Sequence, residues 1–421
     1  MPSTSPDPLP PHARPGRRAP ASVPFGLALA AVLLLATNLR PGATTLGPVM
    51  QEVSAALGLS GGLAGLLAAL PGIVFGAVGF VAVRVGGRLG MSATLALGAG
   101  LAAAGLAGRA VVDDVTPFLL LTVLALSGMA LGNVLIPAWV KLHAASRTTV
   151  LMTVYSASLT LGGSTAALVT ALVTAPIAAA AGADGWRWAL GAWGLAALAP
   201  LAVWAAVAWR TGHDFPRILT PEGGGVSLLR SPTALALTLL FGVQSTNAYV
   251  QFGWVPQMLR DAGLSAGAAG TSLGVTAGLG VVGSLMMPTV ISRSRNLKAW
   301  MVLFGAMTTL GYVGMLAAPV AGVWLWAAVL GLGGFAFPTV ITLLAARTRD
   351  PHVTARLSGF AQPVGYVLAA IGPFAVGLLH DPTGGWTLVL VLLAASGVVM
   401  AAAGLRASEP VYVDDELAAR A

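Results

Sequence analysis

The chain has 421 residues, is 57% hydrophobic and only 9% charged, and has a mean hydropathy of +0.85. Soluble domains carry about a quarter charged residues, so too few are present to coat a water-facing surface, and a soluble helical protein is excluded. The net charge of +8 is dispersed along the chain rather than gathered in a patch, which removes nucleic acid from the partners, and the absence of cysteine removes disulfide and thiol chemistry.

Residues 1–24 are Pro-rich, carry Arg14, Arg17 and Arg18, and read as a disordered tail. The Arg17–Arg18 pair resembles a twin-arginine signal only superficially, because no small-residue cleavage site follows. Apolar segments then recur at 25–48, 61–83, 91–111, 116–140, 150–175, 188–209, 232–256, 266–290, 299–318, 323–345, 357–379 and 386–405. Each approaches the roughly 20 residues a spanning helix needs. The pattern predicts an all-α membrane protein of twelve transmembrane helices. Its glycines and prolines are tolerated in a membrane bundle, where small residues let backbones approach. Connections are short except 210–231, with His213, Asp214, Pro216, Pro221 and Gly223 to Gly225. This linker divides the chain into six-helix bundles at 25–209 and 232–405, followed by a tail at 406–421.

Lys and Arg set the orientation. With a cytoplasmic N-terminus, all of the 22 basic residues except Arg40, Arg109, Arg187 and Arg260 fall inside, and both termini are cytoplasmic. The outer loops carry Glu52, Asp113, Asp114, Asp184, Asp261 and Asp381. The halves also repeat. Ala130–Thr148 (ALGNVLIPAWVKLHAASRT) aligns without gaps with Gly331–Arg349 (GLGGFAFPTVITLLAARTR), and Leu57–Gly62 (LGLSGG) parallels Ala262–Gly267 (AGLSAG). A parallel repeat of this kind places a substrate site near the bilayer midplane between the halves.

Arg40, in Thr37-Asn38-Leu39-Arg40-Pro41-Gly42, lies deep in the first span. A charge there costs about 2.5–3.5 kcal/mol on insertion scales and marks a functional site. Pro41 removes a backbone donor and Gly42 loosens the turn, predicting a kink. Thr37, Asn38, Arg40 and Thr44 are candidate substrate ligands, with Thr37, Arg40, Thr44 and Gly47 on one helix face. A structural pin for Arg40 is the competing reading. On the seventh span, Gln244, Asn247, Gln251 and Trp254 follow helical spacing as a polar face, with interhelical hydrogen bonding as the alternative. Tyr155 and Ser158 on the fifth span, Gln362 and Tyr366 on the eleventh, and Asn133 on the fourth are weaker candidates. Trp139 and Trp254 fit interfacial anchors. Lys141 and His143 at a cytoplasmic helix end fit snorkelling better than a gate.

The predicted spans place no carboxylate in a membrane interior. Proton coupling would have to recruit Glu52, the nearest, or a protonated substrate. No metal cluster, phosphate-binding glycine loop or nucleophilic triad is legible, so no metal, cofactor or enzymatic reaction is expected.

Asn38-Leu39-Arg40-Pro41 with Gly47-Pro48 resembles the specific first-span motif of the cyanate permease and 2-nitroimidazole transporter family of the major facilitator superfamily. Gly132 with Pro137 and Lys141, Gly331 with Gly333, Gly334 and Pro338, Trp254-Val255-Pro256 and Gly372-Pro373 are similar again. The likeness covers roughly 24–406. The loop after the second span departs from the wider superfamily pattern, with Val83 where an Asp is usual. The resemblance implies alternating-access transport of a small anion, weak acid or compact polar solute, by a monomer in a bacterial cytoplasmic membrane. The expected partners are that solute and the lipid bilayer, with protons added where coupling recruits Glu52 or a protonated substrate. A multidrug exporter of amphipathic compounds is the alternative within transport, and a membrane receptor or sensor the alternative of another class.

Overall fold

The computed structural model of the protein describes residues 23–144, 147–181, 184–215 and 227–419. The expected N-terminal tail, apart from residues 23–24, and the 216–226 part of the linker lie outside the described residues.

All regular structure among the described residues is helical. The helices are α1 (Phe25–Asn38), α2 (Pro41–Thr44), α3 (Met50–Leu57), α4 (Gly61–Leu89), α5 (Met91–Gly108), α6 (Val115–His143), α7 (Thr148–Ala181), α8 (Gly185–Ala196) and α9 (Leu198–Thr211). They continue as α10 (Pro232–Gly253), α11 (Val255–Asp261), α12 (Ala266–Arg293), α13 (Leu297–Ala317), α14 (Val323–Gly333), α15 (Ala336–Ala346), α16 (Pro351–Thr383), α17 (Thr387–Ala407) and α18 (Val413–Ala418). Among the described residues, ten helical stretches are long and apolar enough to cross a membrane. The 22-residue α10 is not one of them, because Gln244, Ser245, Thr246, Asn247 and Gln251 lower its hydropathy. The outer surface exposes Leu120, Trp188, Leu195, Trp209 and Val398, the apolar belt that a lipid-facing surface requires.

The repeat seen in the sequence is realised as the same turn twice. Gly58 (φ 65°) ends α3 and Gly263 (φ 106°) follows α11, each in the left-handed region that glycine tolerates. Two residues later, Ser60 Oγ accepts from Leu63 N at 3.3 Å and Ser265 Oγ from Ala268 N at 3.2 Å, capping α4 and α12.

Small residues carry the packing between helices from the two halves of the chain. A Cβ at Gly65 would lie 3.2 Å from Gly377 Cα, and one at Gly72 would lie 2.9 Å from the Tyr366 carbonyl oxygen. The same close approach joins α12 to α7, where a Cβ at Gly274 would lie 3.3 Å from the Leu168 side chain. At the end that carries Glu52, the seam is also tied by polar contacts. Arg260 Nη1 donates to Glu52 Oε2 at 2.8 Å, Gln51 Nε2 to Asp261 Oδ1 at 2.7 Å, and Trp386 Nε1 to Asp261 Oδ2 at 3.0 Å. Towards the opposite end α4 and α16 separate. A Cβ at Gly76 would still meet Val367, whereas Gly79 and Gly359 have open space around them. The bundle is closed at the Glu52 end.

The opposite end is organised by buried polar clasps. Asp214 accepts from Ser92 N at 3.0 Å and Ser92 Oγ at 2.5 Å, capping α5 from the far side of the half, and Trp139 Nε1 donates to Ser92 Oγ at 2.7 Å. His143 stacks on Trp139 at 4.7 Å and places Nε2 3.4 Å from Asp214 Oδ2. This corrects two expectations. Trp139 is fully buried rather than interfacial, and the His143 side chain is 2% exposed rather than snorkelling. The residues expected as a tail after 406 include α18, whose Val413 and Leu417 are buried.

Candidate functional site

Pro41 supplies no backbone donor, so the α-helical ladder of α1 stops before it. Leu39 N bonds back to Ala36 O in a tightened turn, and Arg40 opens α2 with φ −113°, its carbonyl accepting from Ala43 N at 3.0 Å and Thr44 N at 3.1 Å. A 3₁₀ turn at Gly47–Val49 then leads into α3. The kink expected at Pro41 is present. It rotates Gly47 away from the shared face that a straight helix would give it, and Gly47 packs against the Phe252 carbonyl instead. Gly163 on α7 lets the next helix approach, since a Cβ there would sit 3.3 Å from Arg40 Cβ.

Arg109, which follows α5, holds this turn. Its Nη1 donates to Gly42 O at 3.3 Å and its Nη2 to Thr45 Oγ1 at 3.0 Å. The sequence reading counted Arg109 as a loop cation; it is instead 0% exposed. No carboxylate pairs with it among the described residues.

Arg40 faces a cavity of about 120 Å³ bounded by α7, α10, α12, α14, α15 and α16. The space is large enough to hold several waters. Among the described residues that line it, Arg40 alone carries a charge, and no carboxylate pairs with it. Tyr155, Tyr249 and Tyr366 all lie within electrostatic range of its guanidinium. Among the described lining residues, three buried polar atoms lack a close hydrogen-bond partner, Gln244 Oε1, Ser245 Oγ and Tyr249 Oη, the last near enough to the Arg40 guanidinium to interact with it. Buried polar groups are almost always satisfied, so this cluster in the cavity of an unpaired cation is the candidate ligand site.

Of the residues singled out in the sequence, Arg40, Gln244, Gln251 and Tyr366 meet at the cavity. Gln251 is held by its Nε2 donating to Tyr312 Oη at 3.1 Å. The rest of the expected α10 face turns elsewhere. Asn247 Nδ2 donates to Ser396 Oγ at 3.0 Å and to Val243 O, and Trp254 Nε1 donates to Pro373 O at 3.0 Å. Trp254 is 1% exposed and is neither cavity lining nor interfacial anchor. Thr37 Oγ1, Asn38 Nδ2 and Thr44 Oγ1 bond back to carbonyls four residues earlier, at Leu33, Leu34 and Arg40. Tyr155 Oη donates to Asn133 Oδ1 at 3.2 Å, so both stand behind the lining rather than in it. Ser158 is buried and Gln362 half-buried, and neither reaches the cavity wall. Sequence reasoning missed Ser245 and Tyr249, at i+1 and i+5 from Gln244. With Ala248 and Phe252 they form the stripe that the structure turns inward. Glu52 lies outside the cavity, paired with Arg260.

The family model described as Major Facilitator Superfamily matches residues 28–373. The chain belongs to that superfamily. It is 32% identical over 387 residues to the 2-nitroimidazole transporter of Escherichia coli (strain K12), covering 90% of this chain and 94% of that one. It is 26% identical over 363 residues to the cyanate transport protein CynX of the same organism, covering 86% and 91%. The crystal structure of a D-xylose-proton symporter superposes with a TM-score of 0.71 at 16% identity, covering 91% of this chain and 96% of that one. The superfamily assignment and the likeness to the cyanate and nitroimidazole transporters agree with the resemblance read from the Asn38 to Pro41 motif. They make this a multi-pass membrane transporter of a small molecule.

Proposed function

We propose that the protein carries a small anion, weak acid or compact polar solute across the bacterial cytoplasmic membrane by alternating access, with Arg40 as the substrate anchor. In this reading α7 and α10 join the ten apolar stretches as spans. The twelve form bundles at 25–209 and 232–405, and both termini face the cytoplasm, as the distribution of Lys and Arg requires. The structure then corresponds to an inward-facing state of a monomer, shut at the periplasmic Glu52 end. Single cysteines at Asp114 and Arg295, both exposed, label from opposite sides of the membrane under this topology, and same-side labelling overturns it.

The observation that carries the substrate class is Arg40 without a carboxylate partner beside three unsatisfied polar atoms. A guanidinium offers five fixed donors, and in a low-dielectric cavity its attraction for an anion far exceeds that in water. Tyr249, Phe252, Phe337 and Tyr366 in the same wall support the second reading, an exporter of amphipathic compounds. Counterflow in vesicles with a panel of cyanate, small carboxylates and neutral dyes separates the two. Anion transport that fails in Arg40→Gln and weakens in Arg40→Lys supports the anchor. Dye transport indifferent to both variants supports the exporter.

A further inference from the structure

A second cavity, of about 540 Å³, lies at the end of the bundle opposite Glu52, where the last turn of α12, the first turn of α13, the end of α15 and the segment after α17 meet. The residues from α13 and from the segment after α17 come from elements that do not line the Arg40 cavity. Among the described residues that line this second cavity are three cations, Arg295, Lys298 and Arg347, and no carboxylate. Arg347 is fixed in place, because its Nε donates to Ala407 O at 3.0 Å and its Nη2 to Ser408 O at 2.7 Å. Its Nη1 has no acceptor among the described residues. Lys298 is partly compensated by Glu409 on the rim at 3.5 Å, a carboxylate that Arg406 also holds. Arg295 is exposed and has no ion-pair partner among the described residues.

Two further features point the same way. The 21-residue α13 directs its N-terminus at this corner, with Asn296 as its capping residue, and the positive end of a helix favours an anion. Ser408 is 6% exposed and lines the cavity, and its Oγ has no hydrogen-bond partner. Ser408 Oγ, unsatisfied and on the residue whose carbonyl holds Arg347, is a hydroxyl available to an anion at this corner. The remaining wall is apolar, from Pro288, Ile291 and Leu297, and a cationic floor with an apolar flank at a helix-end interface is the lining a phospholipid head region meets.

We propose that this cavity binds a phosphate group at the membrane surface, carried by an anionic phospholipid headgroup or by free inorganic phosphate. On the topology proposed above, that surface is the cytoplasmic one. The bound group links the α12–α13 connection to the ends of α15 and α17.

The test uses the full-length protein in detergent. Binding of phosphatidylglycerol and phosphatidylcholine is followed by native mass spectrometry, with inorganic phosphate as competitor. Phosphatidylglycerol is expected to bind in preference to phosphatidylcholine. The R295Q/K298Q variant should lose about tenfold or more of that affinity, the equivalent of about 1.4 kcal/mol. Arg295→Gln alone, on an exposed side chain that cannot compromise folding, should lose part of it, as should Ser408→Ala. The R84Q/R88Q variant, altered in the corresponding loop of the other half, should bind as wild type. Competition by millimolar phosphate identifies the free anion as the ligand, and lipid binding indifferent to phosphate identifies the headgroup. Equal loss in R295Q/K298Q and R84Q/R88Q would mean diffuse charge attraction and overturn the site, as would an absence of preference between the two lipids together with an absence of phosphate binding. None of these readouts depends on Arg40 or on transport.

Discussion

Arg40 and Arg109 sit on either side of the same turn, and their surroundings differ: one faces a cavity and the other is sealed against backbone and a hydroxyl. Arg109 is sealed, and two of its donors go to Gly42 O and to Thr45 Oγ1, a hydroxyl that itself donates to Pro41 O, so the guanidinium ties the turn that follows the break at Pro41. Arg40 projects into a cavity whose lining includes buried polar atoms of Gln244, Ser245 and Tyr249 that lack a close hydrogen-bond partner. A buried charge is tolerated when its hydrogen bonds are completed. Arg109 spends two of its donors on the protein itself, although its Nε finds no partner, whereas on the proposed reading Arg40 keeps its donors for a ligand. Arg109 is therefore a positioning residue for the turn that aims Arg40.

Exchanging the two losses is the strongest way to break this comparison. Arg40→Gln should weaken substrate binding by on the order of 2–4 kcal/mol, the range for losing one member of a buried charge pair, with a melting temperature near wild type. Arg109→Ala should do the reverse. It strands the Gly42 carbonyl and opens a void, destabilising by on the order of 2 kcal/mol, with the larger effect on melting rather than on affinity. Substrate titration and thermal unfolding of both variants in the same detergent give all four numbers. If Arg40→Gln melts early and binds normally, Arg40 is the pin and the assignment is inverted.

How much of this was legible beforehand follows from what each signal depends on. The apolar stretches, the kink and the isolated charge at Arg40 rest on local chemistry, namely hydropathy, a missing amide and a lone cation within an apolar run. All three could be read directly. The paired Gly-x-Ser turns at Gly58 and Gly263 were visible as a repeat for the same reason. What failed depended on rotation and tertiary contact. The α10 helix was given the right polar residues but the wrong face, because Asn247 finds Ser396 on α17 and Trp254 finds the Pro373 carbonyl. Neither partner is adjacent in sequence. Arg109 looked like a loop cation because nothing in its own neighbourhood reveals the open carbonyl at Gly42. Asp214, placed in a linker, caps α5 from 122 residues away.

A milder version of the Arg109 arrangement holds α18, and it supplies a pH test of whether completed buried charges are structural. Glu416 accepts from Thr233 N at 3.1 Å, Thr233 Oγ1 at 2.9 Å, Arg406 Nη2 at 2.5 Å and Ser231 Oγ. Burial raises its pKa, but the hydrogen bonds from Ser231 and Thr233 and the charge of Arg406 outweigh that, and the carboxyl titrates below the usual glutamate range. The folded value is depressed relative to the unfolded one. Its stabilising contribution is therefore complete above the ordinary glutamate pKa and is lost as pH falls through the folded value. Glu416→Gln should destabilise the docked C-terminus by about 1–3 kcal/mol and flatten the acid limb of its stability profile. Hydrogen exchange in residues 413–418, followed against pH, reads both effects, and an unchanged acid limb in the variant would remove Glu416 from the account.

The smallest effect is expected where a paired charge lies near the surface. Glu52 meets Arg260 at 2.8 Å with the two side chains 28% and 17% exposed, on the seam that closes the cavity away from the periplasm in the proposed topology. A partly solvated pair contributes roughly 0.2–1 kcal/mol. Glu52→Gln keeps an acceptor for the guanidinium and removes the charge, so the seam should open several-fold more often without losing its closed form. Substrate exchange should then slow and not cease, because alternation is biased rather than blocked. Labelling of a cysteine placed at Gln51, in the presence and absence of Glu52→Gln, measures the opening, and counterflow measures the exchange. Abolished exchange with intact substrate affinity would give Glu52 a different role. It would then be an obligatory proton carrier, and the division between Arg40 as the chemically working charge and the paired charges as scaffolding would have to be redrawn to include it.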